Sequence, residues 1–296
     1  MAYSRREFGQ MLVAGLPMAT MLCNPMEGLD DLLQESHRAS ASQSAIPAGM
    51  VHHQVYHSAL AGEDRDYFVY TPPGYDPRKV RVYPVLYLLH GYSDTAAAWT
   101  AKGHANKILD ALIAKGQAKP MIVVMPLCYR TPEIRALGWK GLRDPHLRQL
   151  TFKEFGKILT DEVLPAVEKD YRAATDREQR GIAGLSLGGA EALYVGLNTL
   201  DHFAWVGGFS PVALVGDYSR AFPGLDDRAN PRLGVLWISC GKEDPFFPLS
   251  ENLRNWLQAK RIRFKWVDTP GAHTWHVWKQ NLSDFLPLLF QVDKNP

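Results

Sequence analysis

Gly181-Ile182-Ala183-Gly184-Leu185-Ser186-Leu187-Gly188-Gly189-Ala190-Glu191-Ala192-Leu193 is the stretch on which the fold turns. Its opening residues form a short apolar run that reads as a buried strand. Its closing residues, with Ala190, Ala192 and Leu193, have helical character. Between them, Gly184-Leu185-Ser186-Leu187-Gly188 fits the pattern G-x-S-x-G. Alone, the pentapeptide also describes a serine capping a helix after a tight turn. In a strand–turn–helix context it describes a nucleophile raised on a sharp bend, with glycines where flanking side chains would not fit. The helix that follows adds a positive dipole end, which favours negative charge developing beside the serine.

The pattern continues on both sides. Residues 83–89, 121–125, 203–209 and 235–240 are further apolar runs of strand length, and 263–267 reads as another strand. Helical spacing fills 105–115, 152–170 with a break expected at Pro165, 187–200, 249–260 and 274–290. Residues 51–57 and 66–70 read as an early hairpin. Continuous apolar strands alternating with helices predict an α/β fold, its mostly parallel sheet covered by helices on both faces.

A serine hydroxyl needs a base to take its proton, and the base needs a carboxylate to orient it. Both must stand where loops leave the C-terminal ends of strands. The strand 235–240 runs into Gly241-Lys242-Glu243-Asp244-Pro245, which offers Asp244 as the acid, with its neighbour Glu243 read as solvated. Asp268, at the end of the next strand, is the second choice, and Asp226 and Asp227 read as surface charges. His273, in Gly271-Ala272-His273, follows the last strand and is preferred as base over His276. Two backbone N–H groups should hold the oxyanion, one from Leu187 and one from Tyr92 in His90-Gly91-Tyr92 after the strand 83–89. His90 reads as a hydrogen bonder that holds this loop. Trp99 and Trp275 are the expected substrate contacts. His52, His53 and His57 cluster in the hairpin, but no cysteine or carboxylate set accompanies them, so no metal site is expected.

The 296 residues are 46% hydrophobic and 22% charged with a formal net charge of +2, an ordinary globular balance. So small a net charge argues against a nucleic-acid partner or an anionic membrane surface. The N-terminus stands apart. Ser4-Arg5-Arg6-Glu7-Phe8 precedes a mostly apolar stretch from Met11 to Cys23, as in a twin-arginine export signal. An amphipathic helix is the plainer alternative. Residues 1–49 are therefore read as export signal and linker, and 50–296 as a single catalytic domain, periplasmic or extracellular once delivered. Cys128 and Cys240 fall at the ends of strands about four positions apart, or roughly 19 Å at normal inter-strand spacing. That is too far for a disulfide, so two free thiols are expected.

Four segments together resemble the esterase D-like group, which includes the feruloyl and acetylxylan esterases of carbohydrate esterase family one. They are Tyr70-Thr71-Pro72-Pro73-Gly74-Tyr75, Tyr83-Pro84-Val85-Leu86-Tyr87-Leu88-Leu89-His90-Gly91, Ala183-Gly184-Leu185-Ser186-Leu187-Gly188-Gly189, and Gly271-Ala272-His273-Thr274-Trp275 with Trp278 beyond. The likeness runs from about residue 50 to the C-terminus. It implies an α/β-hydrolase fold with an eight-stranded type of sheet, no cofactor, nucleophile Ser186, acid Asp244, base His273, and oxyanion donors at Tyr92 and Leu187. It implies a serine carboxylic-ester hydrolase that releases feruloyl or acetyl groups from plant polysaccharides such as xylan. A siderophore esterase, an S-formylglutathione-type thioesterase and an acyltransferase share the scaffold. A catalytically silent binding module would lack one of the three residues, and all three are present. The loops 128–144 and 211–233 match no motif, so the acyl group, the alcohol and the oligomeric state are left open.

Overall fold

The computed structural model describes residues 46–128, 137–212, 214 and 218–291. The expected export signal and nearly all of its linker lie outside them. Eight strands form one sheet: β1 (Met50–Ser58), β2 (Glu63–Thr71), β3 (Val85–Leu89), β4 (Ile122–Pro126), β5 (Arg180–Leu185), β6 (Trp205–Phe209), β7 (Val235–Gly241) and β8 (Lys265–Thr269). Their order across the sheet is β1-β2-β4-β3-β5-β6-β7-β8. The hairpin β1–β2 is antiparallel and joins β4 antiparallel, and every later pairing is parallel. The expected α/β-hydrolase sheet is therefore present.

The continuous apolar runs have a direct cause. In β3 alternate side chains enter opposite cores, Val85, Tyr87 and Leu89 on one face and Leu86 and Leu88 on the other. A strand buried on both faces cannot alternate apolar with polar residues. The longer helices are α1 (Ala105–Ala114), α2 (Pro145–Ile158), α3 (Leu164–Asp170), α4 (Ser186–Asn198), α5 (Phe247–Ala259) and α6 (Trp275–Phe285). Leu109 of α1 and Val277, Trp278 and Leu282 of α6 cover the Leu86 face. Phe152 and Phe155 of α2, Leu187 and Leu193 of α4, and Leu253 and Leu257 of α5 cover the Val85 face.

Two helices differ from expectation. The segment expected to begin at residue 152 begins at Pro145, where Asp144 caps the helix by accepting from the N–H groups of His146 and Leu147 at 2.8 and 3.1 Å. It also passes through a wide turn, Leu159–Val163, before α3 resumes with Pro165 in its first turn. Proline supplies no N–H and its ring crowds the preceding turn, so the helix loosens there. The last helix stops at Phe285, and a short 3-10 turn, Leu286–Leu288, carries Pro287. Cys128 and Cys240 are free and buried. The four steps from β4 to β7 in the sheet order keep them apart.

The strand order places the site. From β3 the chain moves outward to β4 on one side, then returns to β5 on the other. Where the order reverses, the loops leaving the carboxyl ends of β3 and β5 diverge and open a crevice. The His90-Gly91-Tyr92 loop leaves β3, and Ser186 follows the last residue of β5.

Candidate active site

Ser186 opens α4 with φ at 54°, in the left-handed region. Such a conformation costs a residue with a Cβ roughly 1–2 kcal/mol. The surroundings enforce it. Gly184 and Gly188 press against backbone: a Cβ at Gly184 would collide with the carbonyl of Gly188, and one at Gly188 with that of His90. No side chain fits at either position, so the two glycines of the pentapeptide allow the bend that carries the serine. Gly91 lies against Leu185 and Ser186, so the loop leaving β3 borders the serine at this residue.

Asp244 sits in the turn after β7, and His273 in the loop after β8. The ring Nε2 of His273 is 2.9 Å from Ser186 Oγ, and its Nδ1 is 2.7 Å from Asp244 Oδ2. The other Asp244 oxygen accepts the Phe246 N–H at 2.8 Å. A carboxylate accepts only, so Asp244 fixes the proton on Nδ1 and leaves the Nε2 lone pair facing the serine hydroxyl. Burial pushes the Asp244 carboxyl up, but hydrogen bonds from His273 and Phe246, with the Ser210 hydroxyl nearby, outweigh it and hold the group below its ordinary value. The imidazole is held between rings, with Phe246 at 5.0 Å and Trp278 at 4.8 Å, both edge-on. An imidazole so held can take the serine proton and return it, which is the chemistry of nucleophilic acyl transfer.

The sequence brings these three together and sets aside their rivals. Asp268 accepts instead from the Trp266 indole at 2.5 Å, His276 is exposed, and Asp226 and Asp227 pair with Arg228 and Arg261. His53 and His57 pair with Asp66 and Asp64, both at 2.9 Å. Among the described residues no group of three or more His, Cys, Asp or Glu is arranged to hold a metal ion.

His90 keeps the β3 loop in place. Its Nδ1–H donates to Gly91 O at 2.9 Å and its Nε2 accepts the Cys128 N–H at 3.2 Å. Burial pushes its pKa down to about 4, so the ring stays neutral in this role.

One expected substrate contact is corrected. Trp99 is wholly buried: its indole N–H donates to Leu89 O at 2.9 Å, and its ring packs edge-on against Trp275 at 5.1 Å and Phe209 at 6.2 Å. It supports Trp275, which stays half-buried beside the histidine loop.

Glu243 also differs from its expected solvated role. It is exposed, yet its carboxylate accepts the Gly271 N–H while its own N–H donates to Gly271 O at 3.1 Å. This reciprocal pair ties the acid turn to the histidine loop. A carboxylate next to the acid and a glycine two residues before the base are the only sequence signals for it.

The family described as "Putative esterase" matches residues 58–289. The chain is 30% identical over 259 residues to an endo-1,4-beta-xylanase/feruloyl esterase of Xylanibacter ruminicola, covering 85% of this chain and 33% of that protein. It is 31% identical over 216 residues to endo-1,4-beta-xylanase Y of Acetivibrio thermocellus, covering 69% of this chain and 16% of that protein. The chain thus spans a third or less of the length of these relatives. Among solved structures it superposes on a ferulic acid esterase with a TM-score of 0.67 at 26% identity, covering 81% of this chain and 96% of that one.

Proposed function

The chain belongs to this esterase family over residues 58–289, and from that premise we propose that it is a serine carboxylic-ester hydrolase acting on feruloyl or acetyl esters of xylan-type polysaccharides. The observation that carries the chemistry is the relay from Ser186 Oγ to His273 Nε2 at 2.9 Å and from His273 Nδ1 to Asp244 at 2.7 Å. His273 takes the hydroxyl proton as Oγ attacks the ester carbonyl. The tetrahedral oxyanion is held by the backbone N–H groups of Leu187, in the first turn of α4, and of Tyr92. His273 then gives its proton to the departing alkoxide, which leaves as alcohol, and the acyl group stays on Ser186. Water, deprotonated by the same imidazole, releases the acid and restores the serine.

The substrate class is supported by the relatives, one an endo-1,4-beta-xylanase/feruloyl esterase and another an endo-1,4-beta-xylanase, and by the ferulic acid esterase on which the chain superposes. Trp275, half-buried beside the base, offers a flat apolar edge for a phenolic acyl group or a sugar ring. The test is catalytic efficiency on feruloylated or acetylated xylo-oligosaccharides against siderophore esters and S-formylglutathione. The xylo-oligosaccharide esters should lead. A preference of about tenfold, or 1.4 kcal/mol in transition-state binding, for either competitor overturns the substrate and leaves the serine chemistry standing.

The proposal extends to location. No helix among the described residues is long and apolar enough to cross a membrane, and the Arg5-Arg6 pair ahead of an apolar stretch supports export in folded form. Replacing Arg5 and Arg6 by Lys should leave the protein in the cytoplasm, because the pair is read by a receptor and not as net charge. Fractionation that finds unaltered export of the double variant overturns this.

A further inference from the structure

A large cleft lies far from Ser186. With a volume of about 1090 Å³, it opens at the opposite edge of the sheet, where Gln179, Trp205, Val235 and Lys265 mark the amino-terminal ends of β5 to β8. Strand β5 alone separates this edge from the serine by roughly 17–20 Å. Nothing in the hydrolytic relay uses it.

Its charge is one-sided. Five basic side chains line it against one acidic side chain, Glu178. Two of the five are structural. Arg177 pairs with Glu178 at 2.5 Å and donates to the carbonyls of Leu200 and Arg232, and Arg232 pairs with Asp201. The other three are not neutralised. Lys119, Arg263 and Lys265 pair with no carboxylate among the described residues. Lys119 donates to Phe290 O, Arg263 donates to Asn230 O at 2.9 Å, and Lys265 lies over the Trp237 ring at 5.2 Å. These contacts do not cancel the charges, and Arg263 and Lys265 are exposed. Like charges gathered on one concave surface repel one another, a cost that an anionic ligand removes.

The walls also carry aromatic surface. Phe264 is half-buried in the cleft. Gly234 is exposed beside Trp205, and a Cβ there would stand 2.9 Å from three atoms of the indole ring. The Gly234 backbone thus packs on the ring, and Trp205, itself buried, forms the floor of the cleft. The flat apolar face of Phe264 next to unpaired cations suits a ring with a carbon–hydrogen face and a carboxylate rim. The volume suits an oligomer better than a small inorganic anion.

We propose that this cleft is a second carbohydrate-binding site, which takes a uronate-bearing segment of the polysaccharide whose esters are cleaved at Ser186. Arg263 and Lys265 receive the uronate carboxylate, with Lys119 behind them, while Phe264 receives a sugar face. The inference rests on the polysaccharide reading of the active site. By holding the polymer on the reverse edge of the sheet, the cleft raises the local concentration of ester groups near the serine without taking part in the chemistry.

The experiment uses the full-length protein and calorimetric titration with two xylo-oligosaccharides of equal length, one bearing a glucuronosyl branch and one neutral. The acidic oligomer should bind at least about tenfold more tightly, with an affinity that falls as salt rises. The double variant Arg263→Gln with Lys265→Gln should lose that preference while hydrolysing methyl ferulate at the wild-type rate. The acidic oligomer should not compete with methyl ferulate. Equal affinity for the two oligomers, an unchanged preference in the double variant, or competitive inhibition of methyl ferulate hydrolysis overturns the site. Free glucuronate and inorganic phosphate serve as controls, and either one binding as tightly as the acidic oligomer would reduce the cleft to a general anion trap and overturn the sugar assignment. Hydrolysis of feruloylated xylo-oligosaccharides without variant-sensitive binding overturns the cleft alone. Binding without such hydrolysis overturns the substrate reading alone.

Discussion

Ser186→Ala is expected to lower kcat for ester hydrolysis by about six orders of magnitude while leaving the fold intact. The size of the loss follows from the relay. His273 Nε2 is 2.9 Å from the serine oxygen, and without that oxygen no acyl-enzyme forms. A residual acceleration of about 10³–10⁴ over water should persist, because backbone oxyanion donors and substrate binding do not need the hydroxyl. The fold should survive because alanine carries the same Cβ as serine. It therefore accepts the same φ of 54° at the same cost, and Ser186 O can still accept the Val212 N–H at 3.2 Å. Ser186→Gly separates strain from chemistry. It should be equally inactive, yet gain up to about 1–2 kcal/mol of local relief, offset in part by the greater freedom of glycine in the unfolded chain. Steady-state kinetics with a chromogenic ester, alongside thermal unfolding of each variant, measures both. A folded Ser186→Ala enzyme with near-wild-type turnover would end the serine mechanism.

What the sequence showed and what it hid follow from how locally each feature is written. The apolar runs of β3 and β4 are legible because burial on both faces leaves no polar position within the strand. Ser186, Asp244 and His273 are legible because each follows the carboxyl end of a strand, and strand ends can be found from periodicity. Asp144-Pro145 could have announced the start of α2, since a capping aspartate and a proline in the first turn are a local helix signal. The wide turn before Pro165 also had its proline on view. Trp99 was placed in the substrate pocket because its position after β3 is all that the sequence reveals. Its burial is decided by Leu89, Phe209 and Trp275, which come from three other parts of the chain. Glu243 was hidden for the same reason, since its partner Gly271 belongs to another loop. The basic cleft is the extreme case. Lys119 and Arg263 precede β4 and β8, Lys265 opens β8, and only the parallel sheet brings its strand starts to one edge.

Asp244→Asn should cost about four orders of magnitude in kcat with little change in structure, for a reason distinct from the loss at Ser186. The aspartate accepts two hydrogen bonds, from the His273 Nδ1–H at 2.7 Å and from the Phe246 N–H at 2.8 Å. Asparagine keeps one acceptor. With its oxygen toward Phe246, its NH₂ faces His273 Nδ1 and donates to it. The imidazole proton then moves to Nε2, which can no longer accept from Ser186. The nucleophile and base keep their distance, but the base is in the wrong tautomer. Stability provides a second readout. In the folded protein the bonds from His273 and Phe246 outweigh burial and depress the Asp244 carboxyl. A depressed acid contributes stability above its unfolded value of about 3.9 and loses that contribution as pH falls through the folded value. The stability deficit of Asp244→Asn should therefore be present at pH 7 and shrink as the medium is acidified below about 4, which denaturant titrations at the two pH values would read. Near-wild-type turnover in the variant would hand the role of acid to another carboxylate. Neither neighbour is placed for it, since Asp268 is bonded to the Trp266 indole and Glu243 to the Gly271 amide, and neither contacts His273.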